Sequence, residues 1–448
     1  MEKKLLSLLA VVSLCSQAIF AQDNSAKPPR VCGQLYMQQE TEKIANAAKQ
    51  RNETDVVIND WIKKNENTPQ ATVIIPVVVH VLYTTAQMNA DVSDAIIKSQ
   101  IDILNKDYAA NNADYSTIGT AFNSIKGNPN FQFCLATVDP KGSATTGITR
   151  TFTTDTSFEI TTEEAKFTAK GGHDIWAPSH YLNIWVCPQI QYTIQGVGIQ
   201  YPIQGYCQFP NQAGKDSTTD GAMIDYRAFG KTTKAYPYPF GFFSLGRTTT
   251  HEVGHWFNLH HIWGDASSPT CSDDDGVSDT PVQYGPDYGD FNTGDCPTAP
   301  TPSCSNGVNG DFWMDYMNYA TDKCEVAFTK GQATVMQATV NTVRKSLLKS
   351  GACGSFTNVG SANSLAYNVS LYPNPTTGDL FANVEFVKST DLLINVTNIM
   401  GQSVAQTQQN NTLGGNFKLD LSHQPNGVYL VELKSREESI TRKIVLNR

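Results

Sequence analysis

The sequence has no lysine- and arginine-rich cluster, and its 33 basic residues are outnumbered by 42 acidic ones, giving a net charge of −9 over 448 residues. A chain of that sign is repelled by phosphate backbones and anionic lipid heads, which disfavours nucleic-acid and membrane-surface roles. Beyond the first residues, no stretch approaches the roughly 18 uninterrupted apolar residues of a membrane span, so no transmembrane segment is expected in the mature form. Charge is sparse too, at 17% against 40% hydrophobic and 10% aromatic residues. That balance excludes a disordered or fibrous chain and suits a folded soluble one.

At its start, Met1-Glu-Lys-Lys is followed by an apolar run from Leu5 to Phe20 and then Ala21-Gln22. A basic n-region, a short apolar core and a small-residue cleavage site read as a signal peptide over 1–21. Cys15 follows the bulky Leu14, so simple removal is expected rather than lipid anchoring. The mature protein is then secreted, either released or held at the cell surface. Of 10 cysteines, nine remain without Cys15, and an oxidising compartment favours disulfides among them.

The length suits two or three domains. Residues 22–67 are polar with helical spacing from Gln34 and look too short to fold alone. A β-branched run, Thr72 to Tyr83, fits a strand buried on both faces. An amphipathic helix over Asp91–Tyr108 should cover it, and Phe131–Val138 and Tyr181–Cys187 read as further strands. Together these predict an α+β domain over 68–355, with helices packed on a mixed twisted sheet and a closing helix near Lys330–Lys349. Between Gly264 and Gly310 the chain turns to Asp, Gly, Pro, Ser and Cys, an irregular segment that needs cross-links or ions. After a polar linker at 356–366, alternating runs at 391–397, 427–433 and 442–447 predict a small all-β sandwich over 367–448.

The chemistry concentrates in His251-Glu-Val-Gly-His255. Two imidazoles four residues apart share one face of a helix and can grip one ion, with Glu252 beside them. On a continued helix, His261 would lie about 9 Å further along the axis than His255, out of reach of that ion. The chain must therefore turn sharply, and Asn258 is a residue type that tolerates a left-handed turn, second to glycine. His260 competes as third ligand, but the spacing His-Glu-x-x-His-x-x-Asn-x-x-His favours His261. Three neutral imidazoles leave one position of a tetrahedral zinc open, as in catalytic sites, and Glu252 is placed to act as general base.

With these residues in view, the sequence resembles the pappalysin family of metzincin metallopeptidases, secreted bacterial members above all. The resemblance runs from about Val73 to Lys349 through Ile75-Pro-Val-Val-Val-His, Tyr181-Leu-Asn-Ile-Trp-Val, Gly246-Arg-Thr-Thr-Thr-His-Glu-Val-Gly-His, His261-Ile-Trp-Gly-Asp, Asp279-Thr-Pro, and Met317-Asn-Tyr followed by Cys324 and Phe328-Thr-Lys-Gly-Gln332. It implies a metzincin-like domain with Met317 as the apolar floor under the three histidines. Tyr319 is then the donor to the oxyanion, and Met314-Asp-Tyr316 is a decoy with the wrong spacing. Arg30-Val-Cys-Gly33 resembles a cysteine switch, in which the Cys32 thiolate holds the open zinc position and the propeptide inhibits its own enzyme.

The resemblance further implies disulfides Cys271–Cys304 and Cys296–Cys324; Cys187–Cys207 and Cys134–Cys353 follow only by elimination. It implies calcium at Asp275, Ser278 (through its carbonyl) and Thr280, in an acidic loop of hard oxygen ligands. Substrate should lie extended along an edge strand, for which Gly205–Phe209 is expected. Some members carry an acidic residue before the cysteine matching Cys324 and prefer a basic residue after the scissile bond. Lys323 stands there here, so a strict arginine preference is expected to be absent or to come from elsewhere. The segment with Leu371-Tyr-Pro-Asn-Pro-Thr-Thr-Gly378, Gly427-Val-Tyr-Leu430 and Lys443-Ile-Val-Leu446 resembles the C-terminal sorting domain of the type IX secretion system, implying passage through that machinery. The reading is a secreted zinc endopeptidase made as a latent zymogen and acting on polypeptides. Its rivals are a surface binding or adhesion protein with a structural metal, against which Glu252 argues, and a zinc amidase on non-protein substrates.

Overall fold

A computed structural model describes residues 30–448 apart from 44–46, 66–70, 195–197, 211–217, 267, 291, 298–300, 354–365 and 436–438. The expected signal peptide and nearly all of the expected linker lie outside the described residues. The chain divides into two compact units, Met1–Ser355 and Phe356–Arg448.

In the first unit, two helices, α1 (Gln34–Glu42) and α2 (Ala47–Asn65), precede β1 (Val73–Tyr83). All of β1 but Ile74 and Tyr83 is buried, because its Val/Ile run packs on both faces. After the short α3 (Ala86–Asp91), α4 (Asp94–Asp107) begins at Ser93, whose side chain accepts from the Ile96 amide. Its Ile97, Ile101 and Leu104 are buried against the sheet at helical spacing. The helix expected over 91–108 is thus α4, which the Ser93 cap starts at Asp94, while Asp91 is the last residue of α3.

The remaining strands are β2 (Phe131–Leu135), β3 (Ile148–Phe152), β4 (Phe158–Glu159), β5 (Leu182–Cys187), β6 (Ile190–Ile194), β7 (Gly198–Ile203), β8 (Gly205–Cys207) and β9 (Ala222–Asp225). The main sheet runs β2-β1-β5-β9-β8, with β3 pairing the far end of β1. Its pairings are parallel except for β8, which lies antiparallel to β9 at the edge. A smaller sheet runs β4-β6-β7. Helix α5 (Arg247–Trp256) is buried along its whole length, and α6 (Lys330–Asn341) starts with a capping box between Thr329 and Gln332. The closing helix therefore stops at Asn341, with a 3-10 turn at Lys345–Lys349.

Three disulfides are formed: Cys134–Cys353, Cys271–Cys304 and Cys296–Cys324. The expected Cys187–Cys207 bridge is not; both thiols are free and buried. The strand order explains this: Cys187 ends β5 and Cys207 ends β8, with β9 between them. Two strand spacings of about 4.8 Å exceed the reach of a disulfide.

The second unit is all-β: β10 (Ala366–Tyr372), β11 (Asp379–Asn398), β12 (Ser403–Asp420), β13 (Gly427–Lys434) and β14 (Ser439–Leu446), paired antiparallel throughout. The pairing of β11 with β12 shifts register between Glu385 and Thr390, and β10 pairs β11 before that point while β13 pairs it after. Leu380, Ala382 and Val384 from one half of β11 share a core with Leu392, Ile394 and Val396 from the other.

Candidate metal centre

Helix α5 carries His251, Glu252 and His255, all buried. It ends at Trp256 with Phe257 as its C-cap, and Asn258 takes φ 71, the left-handed turn that lets the Leu259 amide close on the Gly254 carbonyl at 3.0 Å. That turn returns His261 to the other two histidines. Gly254 is needed for another reason: a Cβ there would stand 2.4 Å from the sulfur of Met317, which is fully buried beneath the helix.

Ligand atoms of Cys32, His251, His255 and His261 lie within 4.8 Å of one another, and all four residues are buried. Each histidine spends its Nδ1–H outward. His251 donates to the Tyr316 carbonyl at 2.7 Å, His255 to the Leu259 carbonyl at 2.7 Å, and His261 to the Asp265 carboxylate at 2.6 Å. The Nε2 lone pairs are therefore turned inward. Those of His251 and His255 face each other at 3.2 Å, and that of His261 is buried without a hydrogen-bond partner. Lone pairs so arranged repel unless a cation lies among them, and this donor set fits zinc. Burial and mutual repulsion hold His251 and His255 well below the ordinary imidazole range, which keeps them neutral as ligands must be.

Around this cluster, the Cys32 thiol donates to Glu252 Oε2 at 3.4 Å and lies 3.6 Å from His255 Nε2. Burial pushes the Glu252 carboxyl up to about 8, partly offset by the Cys32 hydrogen bond and by Arg30. Gly205 of β8 packs on this carboxylate so closely that a Cβ would stand 2.8 Å from Glu252 Cγ. Tyr319 is 9% exposed, with its ring 5.0 Å from that of His261 and edge-on to Trp263 at 4.7 Å. Tyr316, read from the sequence as a decoy, supplies the carbonyl that orients His251.

The N-terminal segment enters along β8. Gly33 N donates to the Gly205 carbonyl at 2.7 Å and Gln204 N to the Val31 carbonyl at 3.0 Å, so Cys32 bridges Gly205 in parallel. Two residues before Cys32, the Arg30 guanidinium is buried, donating to Glu325, to the Thr248 hydroxyl at 3.3 Å and to the Ala320 carbonyl at 3.4 Å. Asp322 lies 3.5 Å away, and the Phe243 ring is 5.2 Å from the guanidinium carbon. Burial alone would lower the Arg30 pKa, but Glu325 and Asp322 more than offset it and hold it above its ordinary value. Lys323 does not reach this pocket; it pairs with Asp295 at 2.6 Å and is 47% exposed. The acidic loop lies elsewhere: Asp275 Oδ1 accepts from Val277 N at 3.0 Å and from Thr280 Oγ1 at 2.7 Å, while its buried Oδ2 has no hydrogen-bond partner. Ser278 is exposed.

Against known proteins, residues 168–341 match the family described as pregnancy-associated plasma protein-A, and residues 370–447 match the secretion system C-terminal sorting domain. Promirolysin of Tannerella forsythia is 37% identical with a TM-score of 0.58, covering 71% of this chain and 97% of its own. Mature mirolysin, solved with a cleaved peptide, is 39% identical with a TM-score of 0.54 over 62% of this chain and 97% of its own. The chain belongs to the pappalysin family of metallopeptidases. An extracellular metalloprotease of Neurospora crassa is 29% identical over 283 residues, covering 62% of this chain and 78% of the relative. One of Arthroderma benhamiae is 28% identical over 278 residues, covering 60% and 73%. This pappalysin is accordingly a secreted zinc endopeptidase made as a zymogen, with a C-terminal sorting tail. Among the described residues no helix is long and apolar enough to cross a membrane.

Several residues of this site escaped the sequence reading. Arg30 drew notice only as part of a cysteine-switch motif, and Glu325 and Asp322 are charges like any others until the fold brings them to it. Asp265 and Trp263 were visible only as members of a family motif.

Proposed function

We propose that His251, His255 and His261 hold the zinc through their Nε2 atoms, that Glu252 is the general base, and that Cys32 keeps the precursor latent. The inward convergence of three Nε2 atoms, each fixed from behind at Nδ1, carries this reading. When bound, zinc supplies the Lewis acidity that lets water attack a peptide carbonyl near neutral pH. Glu252 takes a proton from the attacking water on its carboxylate and delivers it to the departing amine; its raised proton affinity suits both halves of that transfer. The Tyr319 hydroxyl donates to the carbonyl oxygen as negative charge grows there. Gln204 and Gly205 pair with the substrate backbone, as they do with residues 31–33.

The pocket that takes Arg30 implies a preference for Lys or Arg beside the scissile bond, supplied by Glu325 and Asp322 in place of the residue before Cys324. We also assign calcium to the acidic loop. Burial pushes the Asp275 carboxyl up to about 7, and its unpartnered Oδ2 needs either a proton or a cation.

Glu252→Gln tests the mechanism on a panel of casein, gelatin and peptidoglycan. Zinc content should be retained while kcat on the protein substrates falls about 10²–10⁴-fold, and peptidoglycan should stay intact with either form. Undiminished proteolysis would refute the role of Glu252, and release of peptidoglycan fragments would favour the amidase reading.

A further inference from the structure

His251 and His255 donate their Nδ1–H to neutral backbone carbonyls, whereas His261 donates to a carboxylate. That carboxylate, Asp265, has a side chain 3% exposed and serves two adjacent rings at once: Oδ1 accepts from His261 Nδ1 at 2.6 Å, and Oδ2 accepts from His260 Nδ1. His261 is the third ligand that the spacing of the motif favours, and His260 is its competitor. The ring of His260 packs on Phe209, with centroids 4.7 Å apart. The ring of His261 lies flat on Trp263, 4.7 Å away and 7° from parallel.

We propose that Asp265 is a positioning residue of the metal centre: a single carboxylate fork fixes both neighbouring imidazoles, so that His261 presents Nε2 to the metal and His260 is held out of the coordination sphere. The proposal rests on the zinc-peptidase reading and deepens it. Three physical consequences follow from the fork. Among the described residues it is the one charged acceptor at the Nδ1 of a triad histidine, and a carboxylate acceptor makes the imidazole it holds a better donor to the metal. Its two oxygens hold consecutive side chains, one imidazole on each. Trp263 then restricts the remaining rotation of the His261 ring by stacking, so the third ligand is constrained from behind and from one face.

The full-length chain, with Asp265→Asn and Asp265→Ala beside the wild type, provides the test. Zinc affinity is read by competition with a chromogenic chelator, and ligand geometry by the visible absorption of the Co2+-substituted protein. The amide keeps an acceptor for one ring but loses the charge, so Asp265→Asn should bind zinc about tenfold more weakly and Asp265→Ala about a hundredfold. The Co2+ bands of both should shift, whatever the accompanying change in the melting midpoint of the metal-free chain. Variants that match the wild type in zinc affinity and Co2+ spectrum would overturn the proposal, as would a lowered melting midpoint with an unaltered spectrum, which marks a purely structural role. Should the alanine variant fail to accumulate, the near-isosteric Asp265→Asn decides the matter by the same two readouts. A wild-type chain that takes up no zinc would instead sink the zinc-peptidase reading on which the proposal stands.

Discussion

Replacing Glu325 with Gln should have two effects of one origin. In the precursor, Glu325 is the carboxylate that Arg30 meets most closely, and both side chains are buried. Removing one partner of a buried pair costs about 3–5 kcal/mol when the other charge is left alone. Here Asp322 remains 3.5 Å from the guanidinium, and the Thr248 and Ala320 oxygens still accept from it. The loss should therefore be closer to that of one charged hydrogen bond, about 1.5–3 kcal/mol, or roughly 10- to 150-fold in the closed-to-open ratio of the N-terminal segment. Full-length Glu325→Gln should hydrolyse a quenched peptide before processing at a rate raised by about that factor. In the matured enzyme the same change should lower kcat/KM for an arginine peptide relative to its norleucine counterpart by a similar factor, with the norleucine value nearly unchanged. A variant as latent as the wild type and with the same arginine-to-norleucine ratio would refute the pocket assignment.

Two further changes test the turn after α5 and the calcium assignment. Asn258→Gly keeps the left-handed turn, which glycine adopts freely, but removes the Nδ2–H donation to Asp55 Oδ1 of α2 at 3.3 Å; a bond of about 0.5–1.5 kcal/mol predicts latency weakened about 2- to 10-fold, with Asp55→Ala equal to it and the double variant no worse than either. Unchanged activation kinetics in Asn258→Gly would show that the contact is idle. Calcium removal with EGTA should lower the melting midpoint of the wild type, and Asp275→Asn should melt alike with or without calcium; a wild type insensitive to EGTA would discard the calcium assignment.

How far the sequence could be read depended on the range of each interaction. Spacing along one helix and one turn located His251, Glu252, His255 and His261, because those relations are local and follow from 3.6 residues per turn. The buried strand β1 was equally plain, since its Val/Ile run has no polar face to offer solvent. Arg30, by contrast, meets Glu325 across 295 positions, and no pattern in either neighbourhood announces the pairing. The residue before Cys324 was the natural candidate for the specificity pocket, yet Lys323 turns to Asp295 while Glu325, two positions on, faces inward. The free thiols of Cys187 and Cys207 followed from strand order, a property of the whole sheet. Strand β12 was missed because Ser403–Asp420 is polar and mostly exposed; its backbone pairing with β11 orders it.

Arg30 and Cys32 stand two apart on an extended stretch, and alternate residues of such a backbone project to the same side. The edge of β8 fixes the register between them, through Gly33 on Gly205 and Gln204 on Val31. The guanidinium thus enters the acidic pocket in the same register that brings the thiol to the three imidazoles. A substrate with a basic residue would use the same backbone edge and the same carboxylates, but would present a carbonyl where the segment presents sulfur. Each anchor then raises the effective concentration of the other, since a thiol detached from the metal remains near it while Arg30 stays paired. On this reasoning latency is cooperative: a defect at the acidic pocket loosens the thiol without touching it, and the strength of the block reflects how well the enzyme binds what it is built to cut.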